Sequence, residues 1–190
     1  MRLILTKMNL VLGIVVTAAV LISSTAWLTT TTLPSAFAQT SPLNCRGQPV
    51  SIVGTPGVDN IVGTPARDVI VALGGNDRID GKGGDDFICA GPGNDMVRGG
   101  SGVDVIFGDA DDSNNANSVT GTDYLNGEDD GDIIFGDLGD DLILGGSGND
   151  QLSGEGGRDN INGEAGADFA NGGPDFDRCI NVELVRNCEA

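Results

Sequence analysis

One apolar residue recurs every nine positions along most of the chain. Six consecutive units run from Gly54 to Phe107, and seven more run from Ser118 to Ile180. We interpret each unit as about six residues of turn and a three-residue strand, in which position eight points inward and positions seven and nine point outward. Position eight is Ile61, Ile70, Ile79, Ile88, Val97, Ile106, Leu125, Ile134, Ile143, Leu152, Ile161, Ala170 and Cys179.

One buried side chain per unit cannot form a core alone, so the units are expected to stack as coils that bury a continuous row. The chain then divides into an N-terminal segment (39–53), a first repeat block (54–107), an irregular acidic insertion (108–117), a second block (118–180) and a C-terminal cap (181–190). The insertion is either an acidic loop or a solvated bulge, and the pattern leaves both open.

Aspartate occupies position six of every unit, while glycine occupies position one in ten units and position four in ten. Glycine-rich turns that end in aspartate offer the carboxylate and carbonyl oxygens that Ca²⁺ prefers, whereas softer metals favour His and thiolate ligands. A disordered solvating tract is the alternative, but it needs no inward apolar face. The candidate ligands are Asp59, Asp68, Asp77, Asp86, Asp95, Asp104, Asp123, Asp132, Asp141, Asp150, Asp159, Asp168 and Asp177.

Composition narrows the classes of function. The 190 residues include 28 Asp and Glu against 10 Lys and Arg, which gives a net charge of −18, and they contain no His. Nucleic acid is excluded as a partner because its binding depends on basic residues. Without His, the commonest general base and the usual Ser–His and Cys–His pairs are missing, so we do not expect an enzyme.

The first 38 residues are interpreted as a signal peptide. Arg2 and Lys7 precede an apolar run, and Ala36, Phe37 and Ala38 provide small residues around a cleavage site after Ala38. An uncleaved membrane anchor is the competing interpretation. Both place the remaining chain outside the cytoplasm, and with the leader removed no stable membrane insertion is expected.

Four cysteines allow three pairings, and an oxidising compartment favours disulfides. We prefer Cys45 with Cys89 and Cys179 with Cys188, which would tie down the two ends of the repeat region. A zinc site is not expected, because the cysteines lack metal-binding spacing and no His is available.

The units GGSGVDVIF and GGSGNDQLS resemble the hemolysin-type, or RTX, calcium-binding nonapeptide repeat. The resemblance implies an all-β fold, a right-handed parallel β-roll (β-solenoid) with two units per coil, and Ca²⁺ shared between aspartates two units apart. The implied pairs are Asp59 with Asp77, Asp68 with Asp86, Asp77 with Asp95, Asp86 with Asp104, Asp123 with Asp141, Asp132 with Asp150, Asp141 with Asp159, Asp150 with Asp168 and Asp159 with Asp177. Some units depart from the repeat, and we expect the calcium sites of these units to be weaker. The departing residues are Ala66, Arg67, Asp130, Ala170, Asp175 and Cys179.

These observations predict a secreted calcium-binding protein that folds on Ca²⁺, with a structural or adhesive role outside the cell or at the cell surface. A polysaccharide-binding or polysaccharide-modifying module is the alternative, and a cell-surface polysaccharide or an envelope component is the corresponding partner. The first two units, which carry Thr-Pro after Gly, are expected to form a capping coil. Tyr124, Phe87 and Phe169 stand isolated at outward position seven, which favours a packing or incidental role over contact with a ligand.

Overall fold

The computed structural model describes residues 44–109 and 121–189. The expected signal peptide lies outside these residues. The described chain consists of short β-strands joined by turns, and within it there is no helix that could cross a membrane. The strands are β1 Asn44–Cys45, β2 Gln48–Pro49, β3 Ile52–Val53, β4 Asn60–Val62, β5 Val69–Val71, β6 Arg78–Asp80, β7 Phe87–Cys89, β8 Met96–Ser101, β9 Val105–Phe107, β10 Tyr124–Asp129, β11 Ile133–Phe135, β12 Leu142–Gly148, β13 Gln151–Ser153, β14 Asn160–Gly166, β15 Phe169–Asn171, β16 Arg178–Ile180 and β17 Leu184–Arg186.

Successive units alternate between two parallel sheets. The even-numbered strands from β4 to β16 form a seven-stranded sheet, and the odd-numbered strands from β3 to β17 form an eight-stranded sheet. Within a sheet each strand pairs with the strand two units away, as in the pairs Ile61 with Ile79 and Ile70 with Ile88. Two units therefore make one coil, and the parallel β-roll expected from the repeats is confirmed.

The interruption between the two repeat blocks lies between β9 and β10, and most of the expected acidic insertion, from residue 110 onward, lies outside the described residues. Across it, Tyr124 pairs with Met96 in one sheet, and β9 and β11 remain neighbours in the other. The N–H of Gly108 donates to the carbonyl of Phe135 at 2.9 Å, as position one of a unit does elsewhere. Gly108, and not Ser118, thus holds position one of the unit that contains Asp123 and ends at Asn126. Both blocks therefore belong to one continuous roll.

The roll interior is the aliphatic row predicted at position eight. From Ile61 to Ala170 these side chains are at most 8% exposed, and Ile52 and the half-buried Cys179 extend the cluster at its ends. Ala72 and Ala90, at position one of their units, are also buried there. Each full burial of an aliphatic side chain stabilises the fold by about 1.5–3 kcal/mol, so the stack supplies the hydrophobic free energy that no single unit could.

A second apolar cluster lies on the outer face of the eight-stranded sheet. Strands β1 and β2 form an antiparallel hairpin, β1 lies against β5 and β7, and Cys45 is bonded to Cys89. The other disulfide joins Cys179 and Cys188, so the preferred pairing is confirmed. Both bonds tie residues close to the ends of the described chain onto the roll.

This cluster corrects two expectations about outward side chains. Phe87 is not isolated, because its ring lies 5.9 Å from that of Phe107, which stacks on Phe135 at 5.0 Å. Val69 and Val71, at positions seven and nine, point away from the roll interior yet are buried in the outer cluster. The hairpin provides an apolar partner for this face, a contact between distant segments that the nine-residue period does not encode.

Candidate metal sites

The position-six aspartates line up along the roll in two series, which we call files. The first file is Asp59, Asp77, Asp95, Asp123, Asp141, Asp159 and Asp177, and the second file is Asp68, Asp86, Asp104, Asp132, Asp150 and Asp168. In each file the N–H of one aspartate donates to Oδ1 of the aspartate in the next coil, with donor–acceptor distances of 2.7–3.0 Å.

All nine aspartate pairs expected within the two blocks are brought together by these bonds. Two further pairs, Asp95 with Asp123 and Asp104 with Asp132, cross the interruption at the same distance of 2.8 Å. Treating the blocks separately missed them, although a register that skips the insertion would have joined them.

Glycine at position one leaves room beside most of these carboxylates, whereas Ala72 and Ala90 hold that position in the units of Asp77 and Asp95. A Cβ added to Gly136 would lie 2.5 Å from Oδ2 of Asp141 and 2.8 Å from the carbonyl oxygen of Gly154 in the next coil. The same pair of neighbours, a carboxylate and a carbonyl oxygen, surrounds position one in several coils, including Gly81 and Gly145. The turn therefore forms an oxygen-lined space that any larger residue would fill.

In eleven of the thirteen aspartates, Oδ2 is buried and accepts no hydrogen bond from residues 44–109 and 121–189. These residues are at most 3% exposed: Asp77, Asp86, Asp95, Asp104, Asp123, Asp132, Asp141, Asp150, Asp159, Asp168 and Asp177. A buried carboxylate oxygen without a partner is costly, and a cation surrounded by such oxygens removes that cost. The donor set of carboxylates and carbonyls suits a hard cation such as Ca²⁺.

Electrostatics in the files point the same way. Burial raises the pKa of Asp95 and Asp104 to about 7 and that of Asp123 and Asp132 to about 8. The hydrogen bond from the preceding aspartate's N–H opposes the rise, while the charge of the neighbouring aspartate adds to it. The folded, metal-free turns thus disfavour the charged carboxylates that the sequence supplies, and a divalent cation would reverse this preference.

Comparison with known families agrees with this geometry. The family model of the RTX calcium-binding nonapeptide repeat matches the chain in four copies, at residues 53–88, 90–113, 118–152 and 144–179. The chain belongs to this family. No curated protein and no solved structure matches the sequence of this chain.

The first RTX coil differs from the others in having its carboxylates satisfied by threonine. Oδ2 of Asp59 accepts hydrogen bonds from the N–H of Thr55 at 2.6 Å and its hydroxyl at 3.0 Å. Thr64 makes the same two bonds to Asp68, at 2.7 and 2.9 Å. The Thr-Pro units therefore give Oδ2 of their aspartates hydrogen-bond donors from within the chain, so these oxygens have partners without a cation, as suits a terminal coil. Ligation by Asp59 and Asp68 remains a prediction, as it does for the other eleven aspartates.

At the other end of the RTX array, two glutamates continue the files, and sequence reasoning missed both. Oε2 of Glu183 accepts the N–H of Asp168, and Oε2 of Glu189 accepts the N–H of Asp177, both at 2.7 Å. Glu183 directly precedes strand β17, as an aspartate precedes each repeat strand. This placement of an acid before an apolar strand is the signal in the sequence that could have identified Glu183. The longer glutamate side chain closes the file where the nine-residue spacing has lapsed.

The aspartates found where position-four glycine was expected are accommodated by hydrogen bonds. Oδ2 of Asp130 accepts the N–H of Gly102, and Oδ2 of Asp175 accepts the N–H of Gly157, both at 3.2 Å. Within residues 44–109 and 121–189, no group of three or more acidic, His or Cys side chains converges on one point. A Ca²⁺ ion held in a turn of this part of the chain would therefore need carboxylates from two neighbouring coils together with backbone carbonyls.

Proposed function

We propose that this chain is exported and that calcium binding drives its folding into a β-roll with a structural or adhesive role outside the cell. The observation that carries the proposal is the pair of files with eleven unpaired, buried Oδ2 atoms. Ca²⁺ would supply the positive charge that these carboxylates lack. The chain's own part is to hold the oxygens in place through the N–H to Oδ1 bonds between coils.

Folding and binding are coupled in this proposal. The chain has a strongly negative net charge and only 4% aromatic residues, so repulsion among its carboxylates opposes compaction. Calcium removes that repulsion, the turns close, and the aliphatic row stacks as a consequence. Export places the chain where calcium is abundant, and the two disulfides agree with an oxidising compartment.

The proposed role is not catalytic, because the sequence contains no His and the regularly placed aspartates are already engaged in the files. Among the described residues, the free carboxylate oxygens of the files face the spaces between coils and not an open cleft. A structural role needs only the folded roll and its surface.

The test is circular dichroism of residues 39–190, with the disulfides intact, titrated with Ca²⁺ and separately with Mg²⁺. We expect β-structure to form with Ca²⁺ and to be lost on adding EGTA, with Mg²⁺ much less effective because it prefers a small octahedral site. A spectrum that does not respond to Ca²⁺ would show that the files are satisfied without the metal and would refute the proposal.

One observation favours polysaccharide binding as a second candidate function. A cleft of about 230 Å³ lies on the outer face of the eight-stranded sheet, with Phe135 and Phe169 beside Gln151, Glu155 and Asn171. Aromatic faces next to amide and carboxylate groups are the chemistry that binds sugar rings.

Isothermal titration with neutral and acidic oligosaccharides tests this second function in the calcium-loaded protein. Phe169→Ala should abolish binding. Tyr124→Ala, which removes an aromatic ring from position seven of the other sheet, is the matched control. Equal affinities for the two variants would exclude the cleft as the binding site.

A further inference from the structure

Asp109 is a buried acid outside the two files. It is 8% exposed, and in the described part of the chain Ser153 is the only other buried polar residue that does not belong to a file. The N–H of Gly121 donates to its Oδ2 at 3.0 Å, and the amides of Leu138 and Gly93 also face the carboxylate. Its Oδ1 accepts no hydrogen bond from the described residues.

The free Oδ1 of Asp109 points into the same turn as a file aspartate. A Cβ added to Gly121 would lie 2.8 Å from Oδ1 of Asp123 and 3.1 Å from Oδ1 of Asp109, and it would contact the carbonyl oxygen of Gly93 in the preceding coil. Two carboxylates and a carbonyl thus surround one point beside Gly121. The charge of Asp109 also acts on Asp95, whose carboxylate stands one coil away.

The neighbouring coils differ from this one at the same position, because one has no acid there and the acid of the other, which also has a buried oxygen without a partner, is paired with a cation. Asp109 holds position two of the interrupted unit; the preceding coil has Gly91 there, and the following coil has Asp137. Asp137 is partly exposed and forms an ion pair with Arg46 at 3.2 Å, so part of its charge is already neutralised. Among the described residues, Arg46 forms the ion pair with an acid at this position of these coils, and its partner is Asp137 and not Asp109.

We propose that Asp109 is an additional calcium ligand, which adds its carboxylate to that of Asp123 in the turn of Gly93 and Gly121 and makes this turn the tightest site of the roll. This inference rests on the proposed calcium binding. An extra anionic ligand raises affinity for Ca²⁺ and raises it further for a trivalent ion, because attraction grows with the charge of both partners. The interruption of the repeat therefore coincides with the strongest cation site.

The experiment compares the wild-type chain with Asp109→Asn, which keeps an oxygen acceptor for the Gly121 N–H and removes the charge. Asp129→Asn is the matched control, since Asp129 is an exposed acid at the end of β10 whose carboxylate, among the described residues, accepts a hydrogen bond only from the hydroxyl of Ser147 at 3.2 Å. Isothermal titration with Ca²⁺ and luminescence titration with Tb³⁺ measure the number and affinity of sites, after circular dichroism at saturating Ca²⁺ has established the fold.

We expect wild type and Asp129→Asn to show one site tighter than the rest, and Asp109→Asn to weaken that site by about tenfold or more, equal to about 1.4 kcal/mol. Identical isotherms for wild type and Asp109→Asn would overturn the inference and leave the proposed function standing. Absence of any Ca²⁺ binding by the wild type would instead overturn the proposed function.

A second measurement keeps the inference testable if Asp109→Asn does not fold. Substoichiometric Eu³⁺ is added to the wild-type chain, and its excitation spectrum, which shifts with the number of anionic ligands, is compared with that of the sites filled later. A first-filled site with more carboxylates than the later sites supports the inference. A single spectrum throughout the titration contradicts it.

Discussion

Replacing Asp150 by Asn should destabilise the calcium-bound roll much more than the same change at Asp59. Asp150 is 1% exposed, its Oδ1 accepts the N–H of Asp132 at 2.9 Å, and its own N–H donates to Asp168 at 3.0 Å. Its Oδ2 has no partner among the residues that the structure describes. The carboxylate therefore contributes charge to the sites on both sides of its coil.

The magnitude follows from the number of sites that lose a charge. If each of the two sites is weakened about tenfold, the loss is about 1.4 kcal/mol per site, or about 3 kcal/mol in all. Asp59 lies at the end of the first file, and its Oδ2 already accepts two hydrogen bonds from Thr55. Asn at that position retains an acceptor oxygen, so we expect a loss of about 1 kcal/mol or less.

Urea unfolding at a fixed, saturating Ca²⁺ concentration, followed by circular dichroism, measures both variants against wild type. With a slope of about 2 kcal/mol per molar urea, Asp150→Asn should lower the midpoint by roughly 1.5 M and Asp59→Asn by about 0.5 M or less. The calcium concentration for half-folding should rise in the same order. Equal urea and calcium midpoints for the two variants would refute the argument that the middle of a file carries more of the calcium-dependent stability than its end.

Four further predictions concern stability and metal dependence. In EGTA, β-structure should increase on acidification from pH 8 to pH 5. The pKa of Asp123 is about 8 in the folded chain, so folding takes up protons across this range and the metal-free roll loses stability as the pH rises. Ile134→Ala should cost about 2–5 kcal/mol in urea unfolding, since Ile134 is fully buried in mid-row. Replacing Cys45 and Cys89 by Ser should cost about 4 kcal/mol in thermal unfolding, from the loop that the bond closes. Gly136→Ala should weaken Ca²⁺ binding in calorimetry, because its Cβ would enter the oxygen-lined space.

Each of these predictions has a control in the same chain. Val185→Ala removes an exposed side chain and should change stability by less than about 0.5 kcal/mol. The Cys179–Cys188 bond closes a shorter loop, so its removal should cost about 2.7 kcal/mol, and the reverse order would contradict the loop argument. Gly57→Ala places its Cβ 4.0 Å from the hydroxyl oxygen of Thr55, an ordinary van der Waals contact, and should leave calcium affinity unchanged. Metal-free β-structure that increases with pH would contradict the sign of the aspartate pKa shifts.

The nine-residue period determined most of the fold without any structure. A fixed aspartate at position six and an aliphatic residue at position eight demand a turn and an inward strand in each unit, and stacking follows because a lone Ile134 has nothing to pack against. The aliphatic row rests on this repeated chemistry, whereas the pairing of aspartates two units apart was implied by the resemblance to the RTX repeat, and the disulfide pairing was a preference based on where the cysteines stand relative to the repeats.

What depends on contacts between distant or irregular segments was decided only by the tertiary structure. The hairpin that covers Val69 and Phe107 has no repeat to announce it, and the place of Gly108 in the interrupted turn appears only when β9 and β11 are seen as neighbours. Glu183 closes a file because its longer side chain reaches Asp168 across a spacing that the repeat does not contain. Periodic sequence specifies what every coil shares, whereas the ends and the interruption are set by geometry in which a few side chains meet across the fold.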